Sequence, residues 1–391
     1  MPVDAAPGSP TDLQELDRRL VQEVASVHRR LIAERRVELG RIAPEALTLM
    51  DSLERYLDGG KLLRPRFCFF GGLAAQDGAP DDAQISALAR CGAAIELVQA
   101  AALMHDDVID HSPTRRGRPA LHVEQATDHR ERGMSGSSDD FGVAVAIVLG
   151  DLTLSWAEQL FSEGLGEGAA ARRSRAEFDA LRTEVMCGQY LDILHQAGGL
   201  GPDGARSLGE GAVESGTTPE EAAALQVIRW KTVPYTVLRP VRIGAALMGA
   251  DDAALDLLSR WAIEVGTAFQ LRDDLLSVVG DEDHTGKPTG GDIIEGKRTV
   301  LLARTVAEAD ETGIALLQRT VGVPSANLAD VHAVHELMVS TGAVASVSRD
   351  VAARAQAAQD LLAGATELGE LGRAGLSALA GQATDTASLP A

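Results

Sequence analysis

The stretch QISALARCGAAIELVQAAALMHDDVIDH, residues 84–111, decides the fold of this chain. Before its acids begin at Asp106 it carries only Arg90 and Glu96 as full charges. A helix that is apolar nearly all round belongs in the middle of a bundle, not on its surface. Ser112-Pro113 ends it, because proline cannot continue a helix and disfavours helix in the residue before. Asp106 and Asp110 lie one turn apart and share a face, with Asp107 offset by about 100°. All three sit at the negative end of the helix dipole, where each unfavourable contact costs about 0.3–1 kcal/mol. A solvated acidic helix end would be the ordinary reading, but this helix is too apolar for a surface position. A bound divalent cation removes the conflict.

The next residues are basic. Thr114-Arg115-Arg116-Gly117-Arg118-Pro119 offers planar guanidinium groups that grip phosphate through paired hydrogen bonds. A second acidic pair, Asp273-Asp274, lies far downstream with Gln270 at helical spacing, and Lys287, Lys297 and Arg298 follow it. An isolated Asp-Asp in a helix is usually structural. Two such clusters, each trailed by cations, are what an enzyme needs to hold a diphosphate ester on magnesium and ionise it.

Composition agrees with an all-α architecture. Aromatic residues make up only 3% of 391 residues, and a core of alanine, leucine and valine favours helices packed on helices. The formal charge of −21 argues against nucleic acid as a partner, though a local basic pocket can still take an anion. Cys68, Cys91 and Cys187 have no close pairing in the sequence and read as reduced, buried thiols of a cytoplasmic protein. The most apolar run, Phe141 to Gly150, is too short to span a bilayer, so no membrane anchor is expected.

Residues 1–10 read as disordered, 11–383 as one all-α domain and 384–391 as a frayed tail. Leu13, Leu16, Leu20, Val24, Val27 and Leu31 recur at spacings of three and four, which predicts an amphipathic helix. Further helices are predicted at 44–57, 141–163, 174–197, 219–248, 252–279 and 295–310. Gly59-Gly60 stops the second, and Thr218-Pro219 opens the one at 219 as N-cap and first-turn proline. Loops are expected at 128–140, 198–218 and 280–292. No alternating strand pattern stands out.

The motifs resemble, in order, those of a trans-isoprenyl diphosphate synthase of the polyprenyl synthetase family. They are GGKLLRP at 59–65, DDVID at 106–110, TRRGRP at 114–119, GQYLD at 188–192, Lys231-Thr232, and FQLRDD at 269–274 running into TGKPTGGDIIEGKRT at 285–299. The resemblance covers roughly residues 45–310, and six ordered motifs are far more specific than one. It implies a large helical bundle around a deep central cavity, usually a homodimer. It implies that Asp106, Asp107, Asp110, Asp273 and Asp274 serve magnesium, as a trinuclear cluster once substrate is bound. Arg115, Lys231, Thr232, Gln270, Lys287 and Lys297 would bind an allylic diphosphate. Lys61, Arg64, Gln99 and Arg116 would bind isopentenyl diphosphate, with Gln189 and Asp192 lining the site. Two departures are visible: Ser277 stands where a third aspartate often ends the second motif, and Leu62 stands where an arginine often follows the lysine.

The implied reaction ionises the allylic C–O bond, adds the alkene of isopentenyl diphosphate to the cation and loses a proton. The released pyrophosphate takes that proton, and no side chain is assigned as base. The product would grow along the apolar helix, with Ala101, Ala102, Leu97 and Val98 as its floor. Two alanines cannot block a growing chain, so the expected product is geranylgeranyl diphosphate, with farnesyl or longer chains as alternatives. A class I terpene cyclase would have no use for Lys61, Arg64 and Arg116. A non-catalytic partner subunit typically loses one aspartate cluster, and this chain keeps both. His105, next to the first cluster, reads as a packing residue or a support to the cluster, not as an acid or metal ligand.

Overall fold

A computed structural model describes residues 10–199, 217–279, 290–323 and 325–385. Lys287 and His284, most of the 198–218 loop, residues 1–9 and the tail from 386 lie outside the described residues. The fold is all-α. Its elements begin with α1 (Pro10–Ile42), α2 (Leu47–Leu57), α3 (Leu63–Ala74) and α4 (Asp82–Ile109). A two-stranded hairpin, β1 (Thr114–Arg115) and β2 (Arg118–Pro119), leads into α5 (Leu121–Glu131), α6 (Ser138–Gly164) and α7 (Ala169–Gln196). After the undescribed loop come α8 (Pro219–Val227), α9 (Arg239–Leu247) and α10 (Asp252–Val279). The remainder is helical from Gly291 to Glu295 and in five longer segments between Val300 and Thr384. Helix α1 starts at Pro10, one residue inside the stretch expected to be disordered.

The chain forms two compact units. The first comprises Met1–Phe178, Pro240–Leu255 and Glu367–Leu376; the second comprises Asp179–Arg239, Asp256–Thr366 and Ser377–Ala391.

In the first unit, α4 is the central element, packed on α1, α3 and most extensively on α6. Its Leu88, Ile95, Leu97 and Ala101 are fully buried, and side chains of this kind each contribute about 1.5–3 kcal/mol when leucine-sized. Asp81 and Gln84 form a reciprocal capping box at its start. Its end is a left-handed cap. His111 takes φ 53°, its N–H donates to Val108 O, and Ser112 N–H donates to Asp107 O. Close to that end, His105 lies over Gly150 of α6, where an added Cβ would come within 2.1 Å of its ring, and its Nε2 is 3.3 Å from Ile147 O. His105 thus packs against α6, with Asp151 Oδ1 3.6 Å from its Nε2. Phe161 and Phe178 stack at 3.9 Å. Buried His28 on α1 lies 3.0 Å from Ala93 O.

Helices α4 and α6 are both long and apolar enough to cross a membrane by length and composition. The helix around residues 141–150 extends over 27 residues, so its length is not that of the run alone, and two such helices are weak evidence for a span, since a buried core helix passes the same test. The most apolar window of α4 is 78% buried, that of α6 only 39%. Ala144, Ile147 and Val148 of α6 are exposed. Cys68 and Cys91 are buried as expected, whereas Cys187 is exposed.

In the second unit, the segment expected as one helix over 219–248 is broken. Thr218 caps α8 through the Glu221 N–H, as read. Residues Ile228–Thr232 and Pro234–Leu238 are then wound as π-helix, with Val233 N–H bonded to Ile228 O and Arg239 N–H to Pro234 O. Pro234 has no N–H to give Trp230 O, four residues back, and its ring crowds that carbonyl, so the coil widens there. The displaced backbone lies against α7 at Gly188, where a Cβ would stand 2.4 Å from Trp230 O and 2.5 Å from Lys231 Cα. Elsewhere in this unit Trp261, Leu271, Leu275, Leu301 and Val334 form the core. Arg304 joins Glu221 and Asp350 by ion pairs of 2.7 and 2.6 Å.

Two outcomes follow. Gly188→Ala forces a backbone shift at Trp230–Lys231 and is expected to lower stability by about 1–3 kcal/mol in a urea melt; an unchanged midpoint would refute the close approach. Burial holds the His28 imidazole below its ordinary value, so the unfolded chain binds more protons between the folded value and about 6.5. Stability should fall as pH drops through that window, and His28→Gln should make the decline shallower.

Candidate active site

The first motifs converge at the C-terminal end of α4. Asp107 is 0% exposed. Its Oδ1 accepts from Arg115 Nε at 2.8 Å and also from Arg115 Nη2, and its Oδ2 accepts from the Tyr56 hydroxyl at 3.1 Å. Tyr56 Oη in turn accepts from the Leu121 N–H at 3.3 Å. Asp106 and Asp110, on the adjacent face, are only half-buried. Breaking the buried pair by deleting Arg115 would cost about 3–5 kcal/mol, several times the helix-dipole conflict. The pair is therefore structural before it is anything else. Asp107 is engaged by Arg115 and Tyr56, and Asp106 and Asp110 are the more accessible of the three.

The hairpin explains why Arg115 and Arg116 take different partners. Thr114 pairs with Pro119 and Arg115 with Arg118, leaving Arg116 and Gly117 as a two-residue turn. Both have positive φ, 52° and 71°, as a hairpin turn of matching twist requires. Arg115 turns toward Asp107. Arg116 Nη1 donates to the carbonyls of Tyr56 and Asp58 at 3.3 and 3.2 Å, at the end of α2. Gly59 and Gly60, with φ 78° and 88°, stop α2 there as read from the sequence. A cavity of about 510 Å³ opens at this place, lined by Arg55, Tyr56, Gly60, Arg115, Arg116 and Arg118 among others.

Behind it, buried Glu96 on α4 feels Arg64 and Arg116. Burial pushes its carboxyl up and the two arginines oppose that shift. Its Oε2 has no hydrogen-bond partner among the described residues. Gln99, one turn on, is also buried, while Lys61 is exposed. Leu62, the departure in this motif, takes φ 47° just before α3. Of the residues expected to form the product floor, Leu97, Val98 and Ala101 are buried and Ala102 is half-buried.

The second unit gathers the remaining motifs. Lys231, on the π-wound segment, pairs with Asp192 of α7 at 2.5 Å. Thr232 Oγ1 donates to Gln270 Oε1 at 2.6 Å, and Gln270 Nε2 donates to Asp274 Oδ1 at 2.7 Å. Asp274 is buried and its carboxyl is pushed well up, by burial first and then by Asp292, while the Gln270 hydrogen bond opposes this. Asp273 points outward and is exposed. Lys297 pairs with Asp292 at 3.3 Å and with Glu295 at 2.8 Å. Ser277 Oγ donates to Asp274 O.

Three contributors were not singled out from the sequence. Asp292 lies in the quoted TGGD segment, yet only the structure brings it beside Asp274. Glu96 was visible as one charge in an apolar helix. Tyr56 carried no signal beyond standing three residues before Gly59.

The donors suit magnesium. They are hard carboxylate oxygens, and buried Asp274 beside Asp292 carries like-charge strain that a cation would relieve. Among the described residues no three acid, histidine or cysteine side chains form a ready cage. Magnesium does not ask for one, since it takes one or two carboxylates and completes its shell with water and phosphate oxygens.

Comparison with known proteins gives a consistent answer. The family model for polyprenyl synthetase matches residues 47–338. The chain is 32% identical over 291 residues to a geranylfarnesyl diphosphate synthase of Natronomonas pharaonis, covering 69% of this chain and 74% of that protein. It is 28% identical over 309 residues to a geranylgeranyl diphosphate synthase of Sulfolobus acidocaldarius, covering 77% and 78%. Among solved structures, a geranylgeranyl pyrophosphate synthase from Corynebacterium glutamicum, complexed with isoprenyl diphosphate and magnesium, superposes with a TM-score of 0.80. It shares 33% identity, with 95% of this chain and 98% of that one covered. With its motifs seated as described and matched over most of its length, the chain belongs to the polyprenyl synthetase family.

Proposed function

We propose that the protein is a trans-prenyltransferase that condenses isopentenyl diphosphate with allylic diphosphates and releases chiefly geranylgeranyl diphosphate. The observation that carries this reading is the separate seating of Arg115 and Arg116. One is held by Asp107 and the other by the α2 carbonyls, which gives two cation sets for two diphosphates. A terpene cyclase, with one diphosphate to bind, needs only one.

In this reading Arg115, Lys231, Lys287 and Lys297 grip the allylic diphosphate, and Lys61, Arg64, Gln99 and Arg116 grip that of isopentenyl diphosphate. Asp106 and Asp110 in the first motif, and Asp273 with Asp274 in the second, would hold magnesium, three ions once substrate is present. Bound magnesium supplies neutralisation of the charge that develops on the leaving diphosphate. The fixed arginines and lysines stabilise the same charge without reorganising. In the resting protein Lys231 and Lys297 are partnered by Asp192 and by Asp292 and Glu295, so their positions are set before a phosphate arrives. The apolar face of α4 keeps water from the carbocation. The pyrophosphate released takes the proton.

Residues 11–383 would serve as one catalytic domain, and the exposed Ala144, Ile147 and Val148 of α6 suit burial by a second copy in a homodimer. Free cysteines fit a cytoplasmic enzyme.

In this reading the small side chains of Ala101 and Ala102 do not stop the growing product at fifteen carbons. Labelled isopentenyl diphosphate supplied with dimethylallyl, geranyl or farnesyl diphosphate and magnesium should yield a twenty-carbon product by chromatography, and no incorporation from any primer would end the proposal. Ala102→Phe and Ala101→Phe should shift the product toward farnesyl diphosphate; an unaltered length distribution in both would remove the floor assignment. Asp106→Asn should lower kcat by about 100-fold or more in the same assay; wild-type turnover would exclude it as a metal ligand.

A further inference from the structure

We infer that Tyr56 is a positioning residue that sets Arg115 through its hydroxyl and Arg116 through its carbonyl, so that one residue at the end of α2 registers the cations of both diphosphate sites. The inference rests on the prenyl-transfer reading for the identity of the ligands.

Tyr56 stands in the last turn of α2, three residues before the Gly59 that ends it. Its hydroxyl donates to Asp107 Oδ2 at 3.1 Å and accepts from the Leu121 N–H at 3.3 Å, which fixes the direction in which it donates. The other Asp107 oxygen takes both bonds from Arg115. A carboxylate held at one oxygen only can rotate about its bond to Cβ. Held at both, it presents Oδ1 to the two guanidinium N–H groups in a fixed direction. Asp107 is fully buried, so loss of the tyrosine donor removes the hydrogen bond described at its Oδ2.

The same residue's carbonyl accepts from Arg116 Nη1 at 3.3 Å. The two links are chemically separable. Tyr56→Phe deletes the hydroxyl and leaves the carbonyl, with nearly the same volume. A purely structural tie between α2, α4 and α5 would loosen the whole end of the bundle and disturb both arginines alike. A positioning role predicts damage on one side only.

The test compares the full-length wild type with Tyr56→Phe, both checked for a cooperative melt by circular dichroism. Calorimetric titration of inorganic pyrophosphate into metal-free protein should show about tenfold weaker binding in the variant. In steady state with magnesium, the KM for farnesyl diphosphate should rise about fivefold or more. The KM for isopentenyl diphosphate should stay within about twofold of wild type, because the Arg116 bond to the carbonyl is untouched. Unchanged pyrophosphate affinity, or an equal rise in both KM values, overturns the inference. If the wild type condenses no isopentenyl diphosphate, the functional reading fails, and the metal-free titration still decides the role of Tyr56.

Discussion

The Asp107–Arg115 pair is the constraint from which the first unit's site follows. Three carboxylates at the negative end of a helix are unstable neighbours. One of them, sealed from water, is tolerable only because a guanidinium meets it with two hydrogen bonds. That requirement places the hairpin against α4, and the hairpin in turn carries Arg116 to the end of α2. Asp106 and Asp110 lie on the more exposed side of the same turn and, in the proposed reading, are the acids that meet a cation and its phosphate.

The second unit reaches a similar end through backbone rather than charge. Pro234 denies Trp230 O its helical partner, the coil widens over two π segments, and Lys231 and Thr232 come to face α7 and α10. Gly188 makes room for the displaced chain. The relay from Thr232 through Gln270 to Asp274 depends on that displacement, because an unbroken α-helix would carry residues 231 and 232 round by a different angle.

Much of this was legible in the sequence, for identifiable reasons. The uniform apolarity of 84–105 has no explanation on a surface, so α4 read as a core helix. Gly59-Gly60 and Thr218-Pro219 act through local backbone chemistry and were read at their residues. Helix α3 was not read, because a sequence with Pro65, Gly71 and Gly72 scores poorly until burial against α4 and α9 overrides propensity. The break at Pro234 was hidden inside a convincing helical period, although the proline was in view. The different fates of Asp106 and Asp107 depended on which face of α4 meets the hairpin, a matter of tertiary packing. Asp292 joins Asp274 across seventeen residues of intervening chain, and no spacing rule anticipates that.

The turn at Arg116–Gly117 has a consequence for how this segment can vary. Strand side chains alternate, so adding or removing one residue in the turn would rotate Arg115 to the opposite side of the hairpin. Both guanidinium anchors would be lost together, although every charge in the segment were retained. Exchange of one cationic side chain for another is a graded change there, whereas an altered residue count is all-or-none. A change of length in this stretch is therefore expected to cost more than an exchange of side chains.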